Sequence, residues 1–418
     1  MSEIKKPLIL LLISLIFLSN ILTVSASEIF DFIKNGEVTK LKELLEKNPD
    51  LVNVIEDNRI PLHEAAISGR REVVDLLIDL LISRGASVNS KDCDGKTPLY
   101  LAAQNGRKEA TEILIKEGAE INIGDNTGKT PLHWAAQNGR KEIVDLLISK
   151  GADITIKDCE GKTPLYLAAQ NGRKDVVELL IDKGSKISST DNTEKTPLHL
   201  ASQNGRKDVV ELLIDKGADI TSRDSDGKTP LYLACQNGRK NVVELLIDKG
   251  SEVNFKDNTA KTPLHWASQN GCKEVVELLI DKGADITSRD SDGKTPLYLA
   301  CQSGRKGVVE LLISKGSEIN IKDNAGKTSL HWACQNGCKE VVELLIDKGS
   351  DVNFEDKTGR TPIYLAVQYG RIETAELLLS KDADVNVKDN NGVTPLKLAQ
   401  DKSGSEMVEL LKKYGATE

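Results

Sequence analysis

Residues 227–250 read GKTPLYLACQNGRKNVVELLIDKG, and residues 293–316 read GKTPLYLACQSGRKGVVELLISKG. The Thr of this pattern returns every 33 residues, at Thr97, Thr130, Thr163, Thr196, Thr229, Thr262, Thr295, Thr328, Thr361 and Thr394. A fixed period of this length is typical of a chain built from tandem structural repeats. The period therefore predicts one quasi-linear domain, where length alone would suggest two or three globular domains.

The pattern continues in weaker form toward both ends of the chain. A copy that reads IPLHEAA begins at Ile60, 37 residues before Thr97, so it carries four extra residues. A degenerate unit precedes it, and we expect about twelve repeats between Glu28 and Glu418. The expected segments are a signal peptide or uncleaved anchor (1–26), an N-terminal capping repeat (27–58), central repeats whose first member has a four-residue insertion near 79–84 (59–392), and a C-terminal capping repeat (393–418).

Each repeat predicts two short helices. Thr163 suits the N-cap position, where its hydroxyl accepts an unpaired backbone N–H, and Pro164 suits the first helical position. Gly172 tolerates the positive φ that ends the first helix. A second helix begins near Lys174, presents one apolar face, and ends at Gly184. Such short helix pairs must stack on their neighbours to bury their apolar faces, which predicts an all-α repeat solenoid.

The motifs T-P-L-[HY]-[LW]-A and V-V-E-L-L-I-x-K-G-A-D resemble the ankyrin repeat over residues 28–418. The resemblance implies stacked helix-turn-helix units with β-hairpin-like finger loops, in an elongated and curved arrangement. It also implies binding of a protein partner through the fingers and a concave groove. We expect a monomer whose partner the sequence does not name.

The histidines do not predict an active site. They share one position of the repeat and are two repeats, about 20 Å, apart, so no two of them can act on one atom. The resemblance implies that each supports its Thr-Pro turn by hydrogen bonding. The five are His63, His133, His199, His265 and His331. The chain also has no phosphate-binding glycine loop and no cysteine pair at zinc spacing. We therefore expect no catalytic residue, metal, cofactor or small-molecule substrate.

The charge balance disfavours nucleic acid as a partner. The chain has 56 Lys and Arg against 64 Asp and Glu, a net charge of −8, which repels phosphate. One local pattern stands out, because a cation precedes almost every repeat Thr. This ladder consists of Lys96, Lys129, Lys162, Lys195, Lys228, Lys261, Lys294, Lys327 and Arg360. It is either a solvated surface or a row of cations that faces an extended acidic partner.

The repeats are so uniform that two functional readings stay open. Segments 222–287 and 288–353 differ at 12 of 66 positions, so a pair of repeats was duplicated. Either the stack binds something long or repetitive, or the middle is a spacer and specificity lies where the pattern breaks. The breaks chosen as binding candidates are Leu80 and Arg84, in a lengthened helix, and Tyr369, which replaces an Asn.

Other substitutions concern stability. Glu194 and Ala260 replace a loop Gly, and Ser329 replaces the Pro. We expect each to weaken its repeat by roughly 1 kcal/mol, because positive or fixed φ is useful at these positions. Phe255 and Phe354 follow the second helix and are expected to pack within the fingers.

The N-terminus predicts export. Lys5 and Lys6 precede an apolar run, and a small-residue site favours cleavage between Ala26 and Ser27. The alternative is an uncleaved single-pass anchor at residues 8–24, which is short for a span. In both cases the repeats cross the membrane, so the protein is either secreted or anchored with its repeats outside.

Cysteine usage is unusual for an exported chain. The seven cysteines fall on repeat positions that are about 10 or 20 Å apart. A disulfide needs Cα atoms within about 7 Å, so we expect no structural disulfide. One hypothesis is that the protein is exported into a reducing compartment such as another cell's cytosol. The alternative is a cytosolic-type module that acquired an export signal.

Overall fold

The computed structural model describes residues 27–68, 71–402 and 404–417. The expected signal segment up to Ala26 lies outside these residues. The described part contains 24 α-helices, one 3-10 helix and no strand. It is the all-α repeat arrangement that the sequence predicts, with loops in place of strands at the fingers.

The helices occur as pairs joined by short turns. The leading pair is α1 (27–35) and α2 (Val38–Lys47), followed by the 3-10 helix Pro49–Asn53. The first helices of the later pairs are α3 (Pro61–Ser68), α5 (Pro98–Asn105), α7 (Pro131–Asn138), α9 (Pro164–Gln170), α11 (Pro197–Gln203), α13 (Pro230–Gln236), α15 (Pro263–Asn270), α17 (Pro296–Gln302), α19 (Ser329–Asn336), α21 (Pro362–Gln368) and α23 (Pro395–Asp401). Their second helices are α4 (Arg71–Ser83), α6 (Lys108–Lys116), α8 (Lys141–Ser149), α10 (Lys174–Asp182), α12 (Lys207–Asp215), α14 (Lys240–Asp248), α16 (Lys273–Asp281), α18 (Lys306–Ser314), α20 (Lys339–Asp347), α22 (Ile372–Ser380) and α24 (Ser405–Lys413).

The helices begin and end where their capping residues, prolines and glycines predict. Thr163 is the N-cap of α9, and its hydroxyl accepts a hydrogen bond from the N–H of Tyr166 at 3.3 Å. Pro164 occupies the first position of the helix. Gly172 has a φ of +73°, and Gly184 has a φ of +94°, so both use the left-handed region that favours glycine. The predicted boundaries of this repeat are therefore correct.

The described residues divide into two compact segments, one that ends at Asn192 and one that begins at Thr193. Inside each segment, each first helix from α3 onward packs on the first helix of the next repeat, and the second helices pack on one another in the same order. The core is repetitive. In one repeat α13 buries Leu231 and Ala234 completely, and α14 does the same with Val243 and Leu246. Burial of Leu and Val side chains such as these stabilises each by about 1.5–3 kcal/mol.

One aspartate closes each finger loop. The Asp257 carboxylate Oδ1 accepts hydrogen bonds from the backbone N–H of Thr259 at 2.8 Å and of Lys261 at 3.0 Å. The same pair of bonds is made by Asp92, Asp125, Asp158, Asp224, Asp257, Asp290, Asp323, Asp356 and Asp389. Because the acceptor is ionised, these bonds are stronger than neutral ones and fix the loop shape.

Backbone and amide hydrogen bonds join consecutive fingers. The N–H of Asn258 donates to the carbonyl of Asp226 at 3.0 Å, and its Nδ2 donates to the carbonyl of Ser225 at 3.1 Å. Asn324 makes the equivalent bonds to Asp292 and Ser291. The fingers are thereby held at a fixed spacing inside each compact segment.

The alternating His and Tyr also connect neighbouring repeats. His265 Nδ1 accepts from the N–H of Thr262 at 3.0 Å, and its Nε2 bonds the carbonyl of Lys294, in the next finger, at 3.1 Å. The histidine thus supports its turn, as the resemblance implies. In the preceding repeat the Tyr232 hydroxyl accepts from the N–H of Asp257 at 2.9 Å. Both residue types therefore tie one repeat to the loop of the next.

Three departures from the repeat have structural consequences. Helix α4 has 13 residues where α6 has nine, and it ends at Ser83, so Arg84 follows the helix and is not part of it. Glu194 and Ala260 have φ values of +63° and +59°. The loop Gly293, in contrast, faces the Asn324 side chain, which a Cβ would approach to 2.5 Å. Opposite Glu194 and Ala260 the next finger carries a Ser, so the strain there is in the backbone.

Replacing Ala260 with Gly should stabilise the protein by about 1 kcal/mol, because an L side chain in the left-handed region costs roughly that amount. Urea unfolding followed by tryptophan fluorescence measures the change. Gly293→Ala is the control and should destabilise, since its Cβ would clash with Asn324 Oδ1. Equal stability of Ala260→Gly and the parent would contradict the account.

Stability should fall as the pH drops from about 6.5 to about 4. Burial lowers the pKa of His265 and His331 to about 4, whereas the unfolded side chain has a pKa near 6.5. The unfolded chain therefore binds protons first, and each His contributes a slope of up to about 1.4 kcal/mol per pH unit. The variant H265Y/H331Y, which carries the residue of the alternate repeats, should show a shallower profile in urea unfolding. An unchanged slope would refute this origin.

Candidate protein-interaction surface

The ladder cations lie at the ends of the finger loops, just before each first helix. All of the proposed binding members are half-buried, and so they are not a row of fully solvated charges. They are Lys96, Lys129, Lys162, Lys228, Lys261, Lys294, Lys327 and Arg360. Their positions repeat along each compact segment as the sequence predicts. The ladder cations differ in the ion pairs and cation–π contacts that they make within the protein.

In four of the five tyrosine-containing repeats, the ladder lysine pairs with a carboxylate two residues earlier; the exception is the Tyr364 repeat, where Thr358 stands at that position. Lys228 Nζ lies 3.0 Å from Asp226 Oδ2, and Lys294 Nζ lies 3.1 Å from Asp292 Oδ2. The equivalent pairs in the N-terminal segment are Lys96 with Asp94 and Lys162 with Glu160. These pairs reduce the charge that the ladder can offer to a partner.

Tryptophan rings hold the ladder lysines of the second segment. The ammonium groups of Lys228 and Lys261 lie 4.7 and 4.6 Å from the ring centroid of Trp266. Lys294 and Lys327 lie 4.4 and 4.6 Å from the centroid of Trp332. Each ring thereby attracts cations from two consecutive fingers. Burial also lowers the pKa of Lys327. These lysines thus help to hold neighbouring repeats together.

Two of the other three predicted binding residues, Tyr369 and Arg84, are more exposed than the ladder cations. Tyr369, which follows α21, is 48 % exposed, whereas the other aromatic side chains of the described residues are buried or half-buried. Arg84 is exposed, and its Nη1 reaches the carbonyl of Leu45 at 3.5 Å. Leu80 is half-buried on α4. Tyr369 belongs to the second compact segment and Leu80 to the first, so they are separate candidates.

Sequence reasoning missed a second set of cations on the fingers. Arg223, Lys256, Arg289 and Lys322 share one position of the repeat, directly before the loop aspartate, and all four are exposed. We call them the outer row. Alignment of the repeats column by column would have found them, since they are spaced by 33 residues. Their side chains are the most accessible cations of these four fingers.

The predicted finger packing of Phe255 and Phe354 supports this outer row. The Arg223 guanidinium lies 4.7 Å from the Phe255 ring centroid, and Lys322 Nζ lies 4.3 Å from that of Phe354. Phe354 also meets the His331 ring edge-on at 6.3 Å. Both aromatic rings are half-buried. They hold the first and last cations of the row in place.

The positions of the histidine and cysteine side chains indicate structural roles. Burial lowers the pKa of all five histidines, which keeps them neutral near pH 7. The seven cysteines are free, and burial raises the pKa of the Cys235, Cys301 and Cys334 thiols. Across the described ranges, no group of three His, Cys, Asp or Glu is placed to hold a metal ion. No helix in this part of the chain is both long and apolar enough to cross a membrane.

Small, open clefts recur between consecutive interhelical turns. One of about 290 Å³ lies between consecutive interhelical turns and is lined by Asn204, Gly238, Arg239 and neighbouring residues. A cleft of the same volume recurs at Asn138 and Arg173. Such shallow and repeated depressions fit a surface that contacts another macromolecule better than an enclosed substrate site.

Comparison with protein families agrees with this geometry. The family model described as ankyrin repeats (3 copies) matches residues 77–158, 151–224, 222–290, 287–356 and 330–417. The model of the single ankyrin repeat matches residues 57–93. No curated protein matches the chain. Because the family matches extend over most of the sequence, the chain belongs to the ankyrin-repeat family, whose repeats form protein–protein interaction modules and are generally non-catalytic.

Proposed function

We propose that this protein is an exported ankyrin-repeat scaffold that binds a partner protein through its finger loops and adjacent exposed residues. The observation that carries the proposal is Tyr369. It stands where other repeats have Asn, as in Asn237 and Asn270, and its ring is 48 % exposed. A large aromatic side chain that is half in solvent is a frequent anchor in protein interfaces.

Export rests on the N-terminal pattern. Lys5 and Lys6, the apolar run and the small residues before Ser27 are typical of a cleaved signal peptide. Free cysteines throughout the repeats support a destination that is reducing, such as the cytosol of another cell. The alternative function is a membrane-tethered structural spacer, anchored by residues 8–24.

The mass of the N-terminal peptide, measured in the medium and in the membrane fraction of the native cell, separates these two. We expect soluble protein that starts at Ser27. An intact N-terminus that is retained in the membrane would exclude release and support the anchored spacer.

Tyr369→Asn should weaken binding of the partner by about tenfold or more, because it removes a central aromatic contact. The partner is first isolated by chemical cross-linking to the wild-type protein in its native setting, and affinity is then measured by surface plasmon resonance. Tyr369→Phe keeps the ring and is the matched control, with near wild-type affinity expected. Urea unfolding should not distinguish the three proteins, since Asn is the residue of the other repeats.

Equal affinity of Tyr369→Asn and the parent would remove Tyr369 from the interface. If cross-linking captures no protein at all, the interaction proposal fails and the spacer becomes the better reading.

A further inference from the structure

The outer row is linked end to end along four consecutive fingers. Arg223 Nη2 donates to the carbonyl of Lys256 at 3.4 Å, and Lys256 Nζ donates to the carbonyl of Arg289 at 3.4 Å. Arg289 Nη1 in turn donates to the carbonyl of Lys322 at 3.2 Å. Each cation thus reaches the backbone of the next, so all four are held in register one repeat apart.

In the described part of the chain the charges of the outer row form no ion pair with a carboxylate, although Asp285, whose pKa is lowered chiefly by a hydrogen bond from Thr287, also interacts at longer range with Lys256. Within the described residues, no carboxylate oxygen lies within 4.0 Å of a charged nitrogen of Arg223, Lys256, Arg289 or Lys322. Elsewhere in this segment exposed lysines do find such partners, for example Lys249 with Asp215 at 2.9 Å and Lys282 with Asp248 at 3.0 Å. The outer row therefore aligns four like charges and leaves most of their N–H donors free for a ligand.

The row is continuous only in this part of the chain. The equivalent positions of the preceding repeats alternate between cations and neutral residues, as Lys91, Gly124, Lys157 and Thr190. After Lys322 the next position is Glu355, which ends the row. The run of four arises because the duplicated pair of repeats carries two cations in each copy. Duplication has thus produced a feature that a single pair of repeats lacks.

Neighbouring groups also restrict the conformations of these cationic side chains in the free protein. Carbonyl bonds and the rings of Phe255 and Phe354 restrict the long side chains before any partner arrives. Because these side chains are already restricted in the free protein, they lose less conformational entropy when a partner binds. Loop aspartates such as Asp257 direct Oδ1 at backbone N–H groups of their own loop, so they do not neutralise the outer row directly.

We propose that the outer row binds an extended acidic segment of the partner protein, with a carboxylate at about every third residue. Repeats stack at about 10 Å. A segment in the extended polyproline II conformation advances about 3.1 Å per residue with three residues per turn, so residues three apart lie on one face about 9.3 Å from each other. Acidic residues at positions i, i+3, i+6 and i+9 therefore match the four cations. This inference rests on the proposed function, since it specifies the partner of the same finger surface.

A protein segment fits better than a nucleic acid. The chain has a net charge of −8, and exposed acids such as Glu244, Glu277 and Glu310 run along the second helices of the same repeats. A nucleic acid carries a phosphate at every residue and is repelled more strongly than a peptide whose charges are spaced to match the row.

The test uses the full mature protein and two fluorescein-labelled peptides about ten residues long. In the spaced peptide, Glu occupies positions 1, 4, 7 and 10, with Ser and Thr between them. The clustered peptide has the same composition with its four Glu adjacent. Fluorescence anisotropy measures both affinities. We expect the spaced peptide to bind at least about tenfold more tightly.

The variant K256E/K322E should abolish this preference and weaken binding of the spaced peptide about tenfold or more. K91E/K157E is the matched control, because it reverses the same number of charges. Lys91 and Lys157 occupy the same repeat position and also donate to the next finger's backbone, at Gly124 and Thr190. Both lie outside the continuous row, so affinity should stay within about twofold of the parent. Circular dichroism unfolding checks that each variant folds.

Three outcomes would overturn the inference. Equal affinity for the spaced and clustered peptides would show that the cations attract acidic peptides whatever the spacing of their Glu residues. An equal loss in K91E/K157E and K256E/K322E would show that net charge alone matters. Tighter binding of single-stranded oligothymidylate than of the spaced peptide would favour nucleic acid. If K256E/K322E keeps full affinity for the native partner while Tyr369→Asn loses it, only the outer-row inference fails and the interaction function stands.

Discussion

A pair of helices with seven to nine residues each cannot bury its own apolar face, and the rest of this molecule follows from that constraint. Residues such as Leu231 and Val243 are fully buried only because the neighbouring repeats cover them. Stability is therefore a sum of contacts between adjacent repeats. The short helices need accurate starts and stops, which Thr caps and glycines with positive φ supply. Small residues such as Ala234 let the first helices approach closely.

The bonds that hold the stack also determine its surface. Asp257 closes its own finger, Asn258 joins that finger to the preceding one, and His265 reaches the next. Consecutive fingers are thereby set at one spacing, and any side chain that recurs in the repeat becomes a row of equally spaced groups. A substitution at one position of a repeat therefore interrupts a row of charges along the fingers. Function in such a molecule depends on which repeat positions keep the same residue in successive repeats and on where that residue changes.

Much of this was predictable from the sequence, because periodicity, capping residues and turn glycines act locally. Thr163, Pro164 and Gly172 lie where a single repeat predicts them. The use of each ladder lysine was not predictable. Lys228 is partly neutralised by Asp226 and also rests against Trp266, two contacts that depend on side-chain direction and on the next repeat. Alignment of the repeats could have identified the cations of the outer row, but the hydrogen bonds that join each of the first three to the next finger appear only in the structure.

The central claim is that the fingers are fixed by the stack and are not mobile loops. Hydrogen–deuterium exchange of the free protein, followed by mass spectrometry, tests it most directly in peptides that cover residues 256–262 and 322–328. The account predicts that these loop amides exchange nearly as slowly as those of the adjacent helices α15 and α19, because Asp carboxylates and neighbouring carbonyls hold them. Exchange of the loops at the rate of an unstructured peptide, with the helices still protected, would contradict it.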